Sequence, residues 1–220
     1  MRNALLRRLW SMAFPVMAGF RAYRSFIQDR KTYLHVTGWW ESARRGYPCN
    51  AQGEPVPWMN YAVTALLEER LKSTFRLFEF GSGYSTMFYA RKVRSVTSVE
   101  HDEAWHAFVS RRVPENVELV YTAEDEDGAY CRTIGAQQTK YDVVIVDGRD
   151  RVNCLRQSLE HLADEGVVIL DDSDRERYQE GIAYVQARGF RALGLESLRP
   201  ERASRGRTTV LYRQNNCLGL

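Results

Sequence analysis

Apolar and polar positions along residues 75–220 follow a pattern typical of β-strands that alternate with helices. The apolar runs at residues 143–146 and 167–170 are continuous, as expected for strands buried on both faces of a parallel sheet. Residues 191–195 and 208–212 lie close together at the end of the chain, which favours an antiparallel edge pair. Seven strands are predicted, at residues 76–80, 95–99, 118–121, 142–147, 167–171, 191–195 and 208–212.

Helical periodicity fills the segments between these strands. Helices are predicted at residues 85–92, 102–109, 126–134, 152–162 and 174–188, and the last one stops at Gly189, a residue favoured just beyond a helix end. Alternating strands and helices predict a Rossmann-like, doubly wound α/β domain over residues 75–220. Its seven-stranded sheet is expected to be mostly parallel, with an antiparallel C-terminal edge pair and an N-terminal helical extension.

The first 74 residues form two further predicted regions. Residues 1–36 are expected to be a basic amphipathic helical extension. Residues 37–74 are expected to be a lid or linker with a leading helix at residues 61–71. Residues 38–60 are rich in glycine, proline and aromatic residues, which predicts irregular structure there. Trp58-Met59-Asn60-Tyr61 fits either a lid over a ligand or a part of the core.

Charge is concentrated at the N-terminus. The 220 residues carry a net charge of +3, but residues 1–31 hold seven cations and one acid, so the remainder is net negative. The uncharged run at residues 9–20 is shorter than the roughly 20 residues that span a bilayer. Two interpretations stay open: this segment packs on its own domain, or it lies on an anionic membrane surface. Confinement of the basic residues to one end argues against a nucleic-acid partner.

The four cysteines form no Cys-x-x-Cys pair and indicate neither a zinc site nor a disulfide framework. A reducing cytoplasm is therefore the expected location, at the inner face of the membrane if the N-terminal segment binds lipid. Nothing in the sequence predicts the oligomeric state.

The first predicted strand runs directly into Gly81-Ser82-Gly83, and a helix is predicted to begin near Ser85. Glycines let the backbone turn sharply and let a ligand approach where a Cβ would block it. In doubly wound sheets, ligands bind beyond the carboxyl ends of the strands. Thr86 occupies the third glycine position of the dinucleotide-binding pattern, which favours a cofactor without phosphates.

Two acids accompany this loop. Glu100 closes the second predicted strand about twenty residues on, where a carboxylate can accept hydrogen bonds from both ribose hydroxyls of an adenosine. The alternative is a solvated acid at a strand end. Glu79 lies within the first strand, just before the glycines.

Residues 78–83, Phe-Glu-Phe-Gly-Ser-Gly, resemble the first motif of class I S-adenosylmethionine-dependent methyltransferases, and Glu100 resembles their ribose-binding acid. The resemblance covers about residues 75–178. It implies a methyltransferase that binds S-adenosylmethionine. The residues expected to bind this cofactor are Glu79, Gly81, Ser82, Gly83, Ser85, Thr86, Glu100 and His101.

Acids also end the fourth and fifth predicted strands, as Asp147-Gly148 and Asp171-Asp172. Neighbouring strands of this fold project their carboxyl ends into one crevice, so the three aspartates are expected to converge. Carboxylate oxygens suit Mg²⁺ or Mn²⁺, and Asp147 is the candidate catalytic base or metal ligand. The alternative is that one acid faces inward while the others cap the following helix.

The acidic strand ends resemble two groups of sugar-modifying enzymes. Residues 146–148, 158–162 and 166–172 are similar to metal-dependent O-methyltransferases of the macrolide-sugar type. Residues 100–105, 146–148 and 172–175 are similar to plant glucuronoxylan methyltransferases. Both imply O-methylation of a sugar hydroxyl in a glycan or glycoconjugate, with Arg149 and Arg151 available to an acidic sugar. A small natural product or lipid-linked acceptor, and a non-catalytic protein that binds the cofactor, are the alternatives.

Overall fold

The computed structural model describes residues 14–220, so residues 1–13 of the predicted N-terminal extension lie outside the described part. Helix α1 covers residues 14–23 and continues as a π-helical turn at Arg24–Gln28. A short helix, α2, follows at Tyr33–Val36. Among the described residues, no helix is both long enough and apolar enough to cross a membrane.

The expectation of irregular structure throughout residues 38–60 is wrong for its first part. Helix α3 occupies Trp39–Arg45, between Gly38 and Gly46, which both have left-handed backbone conformations. Glu41 stabilises the helix through ion pairs with Arg44 and Arg45, one turn further along. The two glycines that suggested a loop are therefore the ends of a helix.

Helix α4, at Tyr61–Arg70, agrees closely with the predicted leading helix. Asn60 caps it, since its side-chain oxygen accepts hydrogen bonds from the backbone N–H groups of Ala62 and Val63. The Asn60 amide also donates to the hydroxyl of Thr208 at 2.9 Å and to the carbonyl of Leu195 at 3.2 Å. One side chain thus ties α4 to the C-terminal strands.

The seven predicted strands form one sheet with the order β3-β2-β1-β4-β5-β7-β6, which confirms the predicted fold. The first five strands are parallel, and β7 is antiparallel to both β5 and β6. Strands β1 and β4 lie side by side at the centre. The strand bounds are β1 Arg76–Phe80, β2 Ser95–Glu100, β3 Val117–Tyr121, β4 Tyr141–Val146, β5 Leu162–Leu170, β6 Arg191–Arg199 and β7 Arg202–Tyr212.

The C-terminal hairpin is longer than predicted, because the pairing of β6 with β7 continues to Arg199 and Arg202. Its outer part is polar and is held partly by an ion pair between Glu196 and Arg205 on opposite strands. Apolar alternation is absent there, so the sequence pattern predicted only the inner half of each strand.

The helices between the strands lie close to their predicted places. The segment at 126–134 is one α-helical turn followed by a 3₁₀ turn, Thr133–Gly135, and a second 3₁₀ turn, Glu176–Tyr178, precedes α9. The bounds are α5 Tyr84–Ala90, α6 Glu103–Ser110, α7 Ala129–Arg132, α8 Arg151–Glu160 and α9 Gln179–Gln186.

Alternate residues of the central strands supply two separate cores. Phe78 and Val144 pack on one face of the sheet against residues of α7, α8 and α9, such as Leu155. Leu77 and Val143 pack on the opposite face against residues of α4 and α5. Burial on both faces leaves the carboxyl ends of the strands as the place where polar groups of the sheet reach solvent.

We expect Asn60→Ala to lower the free energy of unfolding by about 2–3 kcal/mol. The variant loses a helix cap, worth about 1 kcal/mol, and also the two hydrogen bonds from the Asn60 amide to Thr208 and Leu195, each worth about 0.5–1.5 kcal/mol. Urea denaturation measures the change. Asp102 caps α6 through the backbone N–H of Trp105, so Asp102→Ala is the matched control with an expected loss of only about 1 kcal/mol. Equal losses would show that the link to the hairpin contributes nothing.

Candidate functional site

A cleft of about 880 Å³ lies at the carboxyl ends of the central strands. The glycine loop and the end of β2 form one end of the cleft, and the start of α8 with residues 175–178 forms the other. Side chains that line it include Trp58, Ser85, Glu100, His101, Trp105, Glu124, Asp147, Arg149, Arg175 and Arg177. The cleft thus contains the glycine loop, Glu100 and Asp147, which the sequence predicted separately.

Gly81 and Gly148 allow the ends of β1 and β4 to come into contact. Gly81 has φ +90°, and a Cβ at this position would lie 2.7 Å from the Gly148 Cα atom. A Cβ on Gly148 would in turn lie 2.9 Å from the backbone nitrogen of Gly81. Because backbone atoms cannot yield as a flexible side chain can, both positions require glycine.

Gly83 is less constrained than Gly81. Its backbone is extended, with φ 166°, and an added Cβ would meet the Trp105 ring at an ordinary contact distance of 3.6 Å. The Trp105 indole N–H donates to the carbonyl of Ser82 at 2.8 Å and so closes one side of the loop. The role of Trp105 could not be predicted from the sequence, because its contact with the loop depends on how α6 packs.

The Glu100 carboxylate holds the loop to the end of β2. One oxygen accepts from the backbone N–H and the hydroxyl of Ser82, at 3.0 and 2.9 Å. The other accepts from the backbone N–H groups of His101 and Asp102, at 2.8 and 2.9 Å. Glu100 therefore lines the cleft as a carboxylate with well-defined partners, and its side chain is only 3% exposed.

His101 connects Glu100 to the cleft entrance. Its Nδ1 lies 2.9 Å from the Glu100 carboxylate, and its Nε2 receives the guanidinium N–H of Arg149 at 3.2 Å. Nδ1 makes no hydrogen bond in spite of this short distance, whereas Nε2 accepts the hydrogen bond from Arg149. This arrangement positions the exposed Arg149 side chain over the cleft.

Glu79 and Thr86 do not line the cleft, which corrects their prediction as direct cofactor ligands. Both side chains are fully buried behind the glycine loop. The Glu79 carboxylate accepts hydrogen bonds from the hydroxyls of Ser85, Thr86 and Ser98, the last two at 2.5 and 2.9 Å. Thr86 also accepts the backbone N–H of Gly83 at 2.9 Å. These residues position the loop from behind, whereas Ser85 also reaches the cleft.

Asp147 follows β4 directly and lies beside the glycine loop, where its backbone N–H donates to the carbonyl of Phe80. Its side chain is 24% exposed, and one carboxylate oxygen lies 2.9 Å from the Arg151 guanidinium. Burial raises the pKa of Asp147, and the nearby charge of Asp171 raises it further, whereas Arg151 opposes the shift.

Arg151 is committed to the protein interior, so it is not available to an acidic sugar. Its guanidinium donates to the backbone carbonyls of Gly148, Asp147 and Asp171 as well as to the Asp147 carboxylate. The side chain is 8% exposed. Arg151 therefore holds the ends of β4 and β5 together and orients Asp147.

Asp171 and Asp172 turn away from the cleft, so the predicted metal site with Asp147 does not form. Asp171 accepts the Thr208 hydroxyl at 2.5 Å, and burial raises its pKa. Asp172 pairs with Arg175 at 2.5 Å and with Arg199. Both aspartates are nearly fully buried.

The donor set does not fit Mg²⁺ or Mn²⁺. Among residues 14–220, no three His, Cys, Asp or Glu side chains are grouped to hold a metal ion. Arginine guanidinium groups already neutralise Asp147 and Asp172, and a hydroxyl satisfies Asp171. The clustering of acids at strand ends was predicted correctly, but cations from the same chain take the place that was expected for a metal.

Trp58 is the residue of the Trp58-Met59-Asn60-Tyr61 stretch that lines the cleft, and it is 39% exposed. Met59, Asn60 and Tyr61 are buried and belong to the core. At the opposite end, Arg175 and Arg177 line the cleft beside Tyr178. Glu124, just after β3, was not singled out from the sequence and also lines it.

Residues 78–173 match the family Methyltransf_24, described as a methyltransferase domain. Among curated protein sequences, none matches this chain. A putative O-methyltransferase from Klebsiella pneumoniae superposes with a TM-score of 0.55 at 19% identity, over 80% of this chain and 88% of its own. Precorrin-6y C5,15-methyltransferase from Geobacter metallireducens superposes with a TM-score of 0.56 at 13% identity, over 70% and 87%.

The N-methyltransferase NodS from Bradyrhizobium japonicum, solved in complex with S-adenosyl-L-homocysteine, superposes with a TM-score of 0.51 at 12% identity. The alignment covers 80% of this chain and 99% of NodS. Identities this low show a shared fold only. The matched domain spans the glycine loop, Glu100, Asp147 and both acids after β5.

We expect Glu79→Gln to alter how the stability of the fold depends on pH. Burial raises the pKa of Glu79 from 4.5 to about 7, although three hydroxyls oppose the shift. Between these pH values the folded chain keeps a proton that the unfolded chain releases, so wild-type stability falls as pH rises. The free energy of unfolding of the glutamine variant, taken relative to that of wild type, should therefore rise by on the order of 3 kcal/mol between pH 4.5 and pH 7.

Chemical denaturation across this pH range measures the difference between the two proteins. Glutamine keeps the shape of Glu79, and its amide can donate to a hydroxyl that now donates to the carboxylate. Glu103→Gln, an exposed change on α6, serves as the control and should show no such trend. A difference between Glu79→Gln and wild type that stays constant with pH would contradict a raised pKa.

Proposed function

We propose that this chain, which carries an S-adenosylmethionine-dependent methyltransferase domain, methylates a hydroxyl oxygen of a sugar-containing acceptor. The observation that carries the proposal is the position of Asp147. Its carboxylate is partly exposed in the cleft beside the glycine loop, and its raised pKa makes the ionised form a stronger proton acceptor.

The glycine-loop end of the cleft fits the cofactor. Gly81 provides a bend without a side chain, and the nearby backbone of Ser82 is held by Glu100 and Trp105. The Ser82 hydroxyl on the Glu100 carboxylate occupies the kind of donor position that a ribose hydroxyl would take. We infer that Gly81, Ser82, Gly83, Ser85, Glu100 and His101 hold the cofactor, with Glu79 and Thr86 supporting the loop.

When bound, S-adenosylmethionine supplies a methyl group that the sulfonium charge already activates. The protein therefore has two tasks, to align the acceptor oxygen and to receive its proton. Asp147 is the proposed acceptor of that proton as the new oxygen–carbon bond forms. Arg151 holds the carboxylate in place. Its positive charge stabilises the ionised form, so a fraction of Asp147 stays ionised despite burial.

The far end of the cleft supports a polar acceptor. Arg175 and Arg177 line it together with the aromatic ring of Tyr178, and both arginines are exposed. Exposed guanidinium groups can donate to sugar hydroxyls or to the carboxylate of an acidic sugar. The volume of about 880 Å³ lies in the upper part of the range of ligand pockets, which fits a site for two molecules.

We expect Glu100→Gln to weaken binding of S-adenosylhomocysteine by at least about tenfold. The amide nitrogen would face backbone N–H donors that now bond a carboxylate oxygen, and the loss of one charge-assisted bond accounts for about 1.5–3 kcal/mol. Isothermal titration calorimetry measures the affinity. Glu126→Gln removes an exposed charge from the cleft wall and is the matched control. Unchanged affinity in Glu100→Gln would place the cofactor elsewhere.

We expect Asp147→Asn to reduce kcat by about 10²–10⁴-fold while cofactor affinity stays within a few-fold of wild type, because the change removes the proposed base. Asp150→Asn is the control, since Asp150 also lines the cleft and asparagine tolerates its left-handed backbone, with φ 44°. A methyl-transfer assay with acidic and neutral glycosides as acceptors measures turnover. Near-normal turnover of Asp147→Asn would remove Asp147 from the mechanism.

The pH profile supplies a second readout of the same residue. A base must be ionised, so wild-type kcat should fall as pH drops through the raised pKa of Asp147, and the acid limb should lie well above pH 3.8.

We also expect EDTA to leave turnover unchanged, because arginines and a hydroxyl already bond the three aspartates. Loss of activity in EDTA with recovery in Mg²⁺ or Mn²⁺ would contradict this expectation.

A further inference from the structure

An apolar surface is exposed near the N-terminus of the described chain. Of the eleven exposed large hydrophobic side chains in residues 14–220, nine lie between residues 14 and 36. Val16 is 73% exposed and Phe20 is 61% exposed. We call residues 14–36 the amphipathic segment. Exposed apolar side chains at this density are typical of an interaction surface.

The helical part of this segment carries exposed apolar side chains on more than one side. Val16, Phe20 and Tyr23 are spaced four and three residues apart on α1, so they share one face of the helix. On another side of α1 the Arg21 guanidinium lies over the Phe14 ring, 5.8 Å from its centroid, and Arg24 begins the π-helical turn. Phe26 and Ile27, within that turn, are 54% and 42% exposed and extend the apolar surface.

The charge of the segment is strongly positive. Arg21, Arg24, Arg30 and Lys31 face a single acid, Asp29, so residues 14–36 carry a net charge of +3. Residues 1–13, outside the described part, add three arginines and no acid. The rest of the chain is net negative, which makes this positive charge a local property.

The far end of the segment is attached to the domain. The Tyr33 ring meets the Tyr61 ring of α4 edge-to-face, with centroids 5.9 Å apart. Just beyond, the indole N–H of Trp39 donates to the carbonyl of Arg202 on β7 at 3.1 Å. These contacts fix the end of the segment next to α4 and the C-terminal hairpin, whereas α1 keeps its apolar face exposed.

We propose that the amphipathic segment binds an anionic lipid surface and holds the domain against it. Exposed aromatic and aliphatic side chains can enter the boundary between headgroups and acyl chains while adjacent arginines reach lipid phosphates. A second copy of the chain is less favoured as the occupant. Pairing of two such segments would bring net charges of +3 together, whereas an anionic surface attracts each of them.

Co-sedimentation of the full-length protein with vesicles tests the proposal. We expect binding to phosphatidylcholine vesicles that contain 30% phosphatidylserine, and little binding to vesicles of phosphatidylcholine alone. Each arginine near such a surface contributes about 1 kcal/mol to the free energy of membrane binding. The double variant Arg21→Gln with Arg24→Gln should therefore partition onto the vesicles about 30-fold more weakly. Added salt should release the wild-type protein, because it screens the attraction.

Two pairs of variants separate the apolar from the basic contribution. Phe20→Ser with Ile27→Ser should also lower partitioning, whereas Tyr121→Ser, at an exposed aromatic side chain on β3, should not. Arg94→Gln with Arg111→Gln removes two exposed arginines from the body of the domain and is the control for charge. If both pairs of charge changes weaken binding equally, general electrostatics accounts for binding and the proposal fails.

A protein that stays in the supernatant with anionic vesicles would also overturn the proposal. Sedimentation velocity then identifies the alternative, since a dimer lost in Phe20→Ser with Ile27→Ser would show that a second copy covers the surface. Turnover with a soluble acceptor should be unchanged in all four segment substitutions, because the segment lies outside the cleft. The proposal therefore stands or falls independently of the methyl-transfer function.

Discussion

Moving a carboxylate from water into the protein interior is unfavourable unless hydrogen-bond donors surround it. The carboxyl edge of this sheet buries four carboxylates, and donors from the same chain satisfy each of them. Hydroxyls bond Glu79, backbone N–H groups bond Glu100, a threonine hydroxyl bonds Asp171, and arginines pair with Asp172. The positions of the glycine loop, the end of β2 and the C-terminal hairpin all follow from the need to satisfy these acids.

Asp147 differs from these four acids because part of its carboxylate remains open to the cleft. Arg151 contacts it from the protein side and bonds three backbone carbonyls at the ends of β4 and β5. A cation that is itself immobilised fixes the direction of the carboxylate without filling the cleft. The same guanidinium removes the need for a metal to relieve repulsion among neighbouring aspartates, and leaves Asp147 as the acid best placed to accept a proton.

Local patterns predicted the strands, the glycine loop and the acids at strand ends, because each depends on a few consecutive residues. The partners of those acids could not be predicted, since Thr208 lies 37 residues from Asp171 and Arg199 lies 27 residues from Asp172. Thr208 begins a predicted strand, whereas Arg199 lies in the outer half of the β6–β7 hairpin, which lacks the apolar alternation that marks a strand. The sequence suggested a metal among these acids because it shows their charges but not which cations fold against them.

The structure of the protein bound to S-adenosylhomocysteine tests the central claim most directly, because it locates the ligand's sulfur relative to Asp147. The account predicts ribose hydroxyls on the Glu100 carboxylate, with the Ser82 hydroxyl displaced from it, and the sulfur facing the Asp147 side of the cleft. A ligand bound away from the glycine loop would contradict the account. So would a ligand whose sulfur points away from Asp147, since that carboxylate could not then receive a proton from the acceptor.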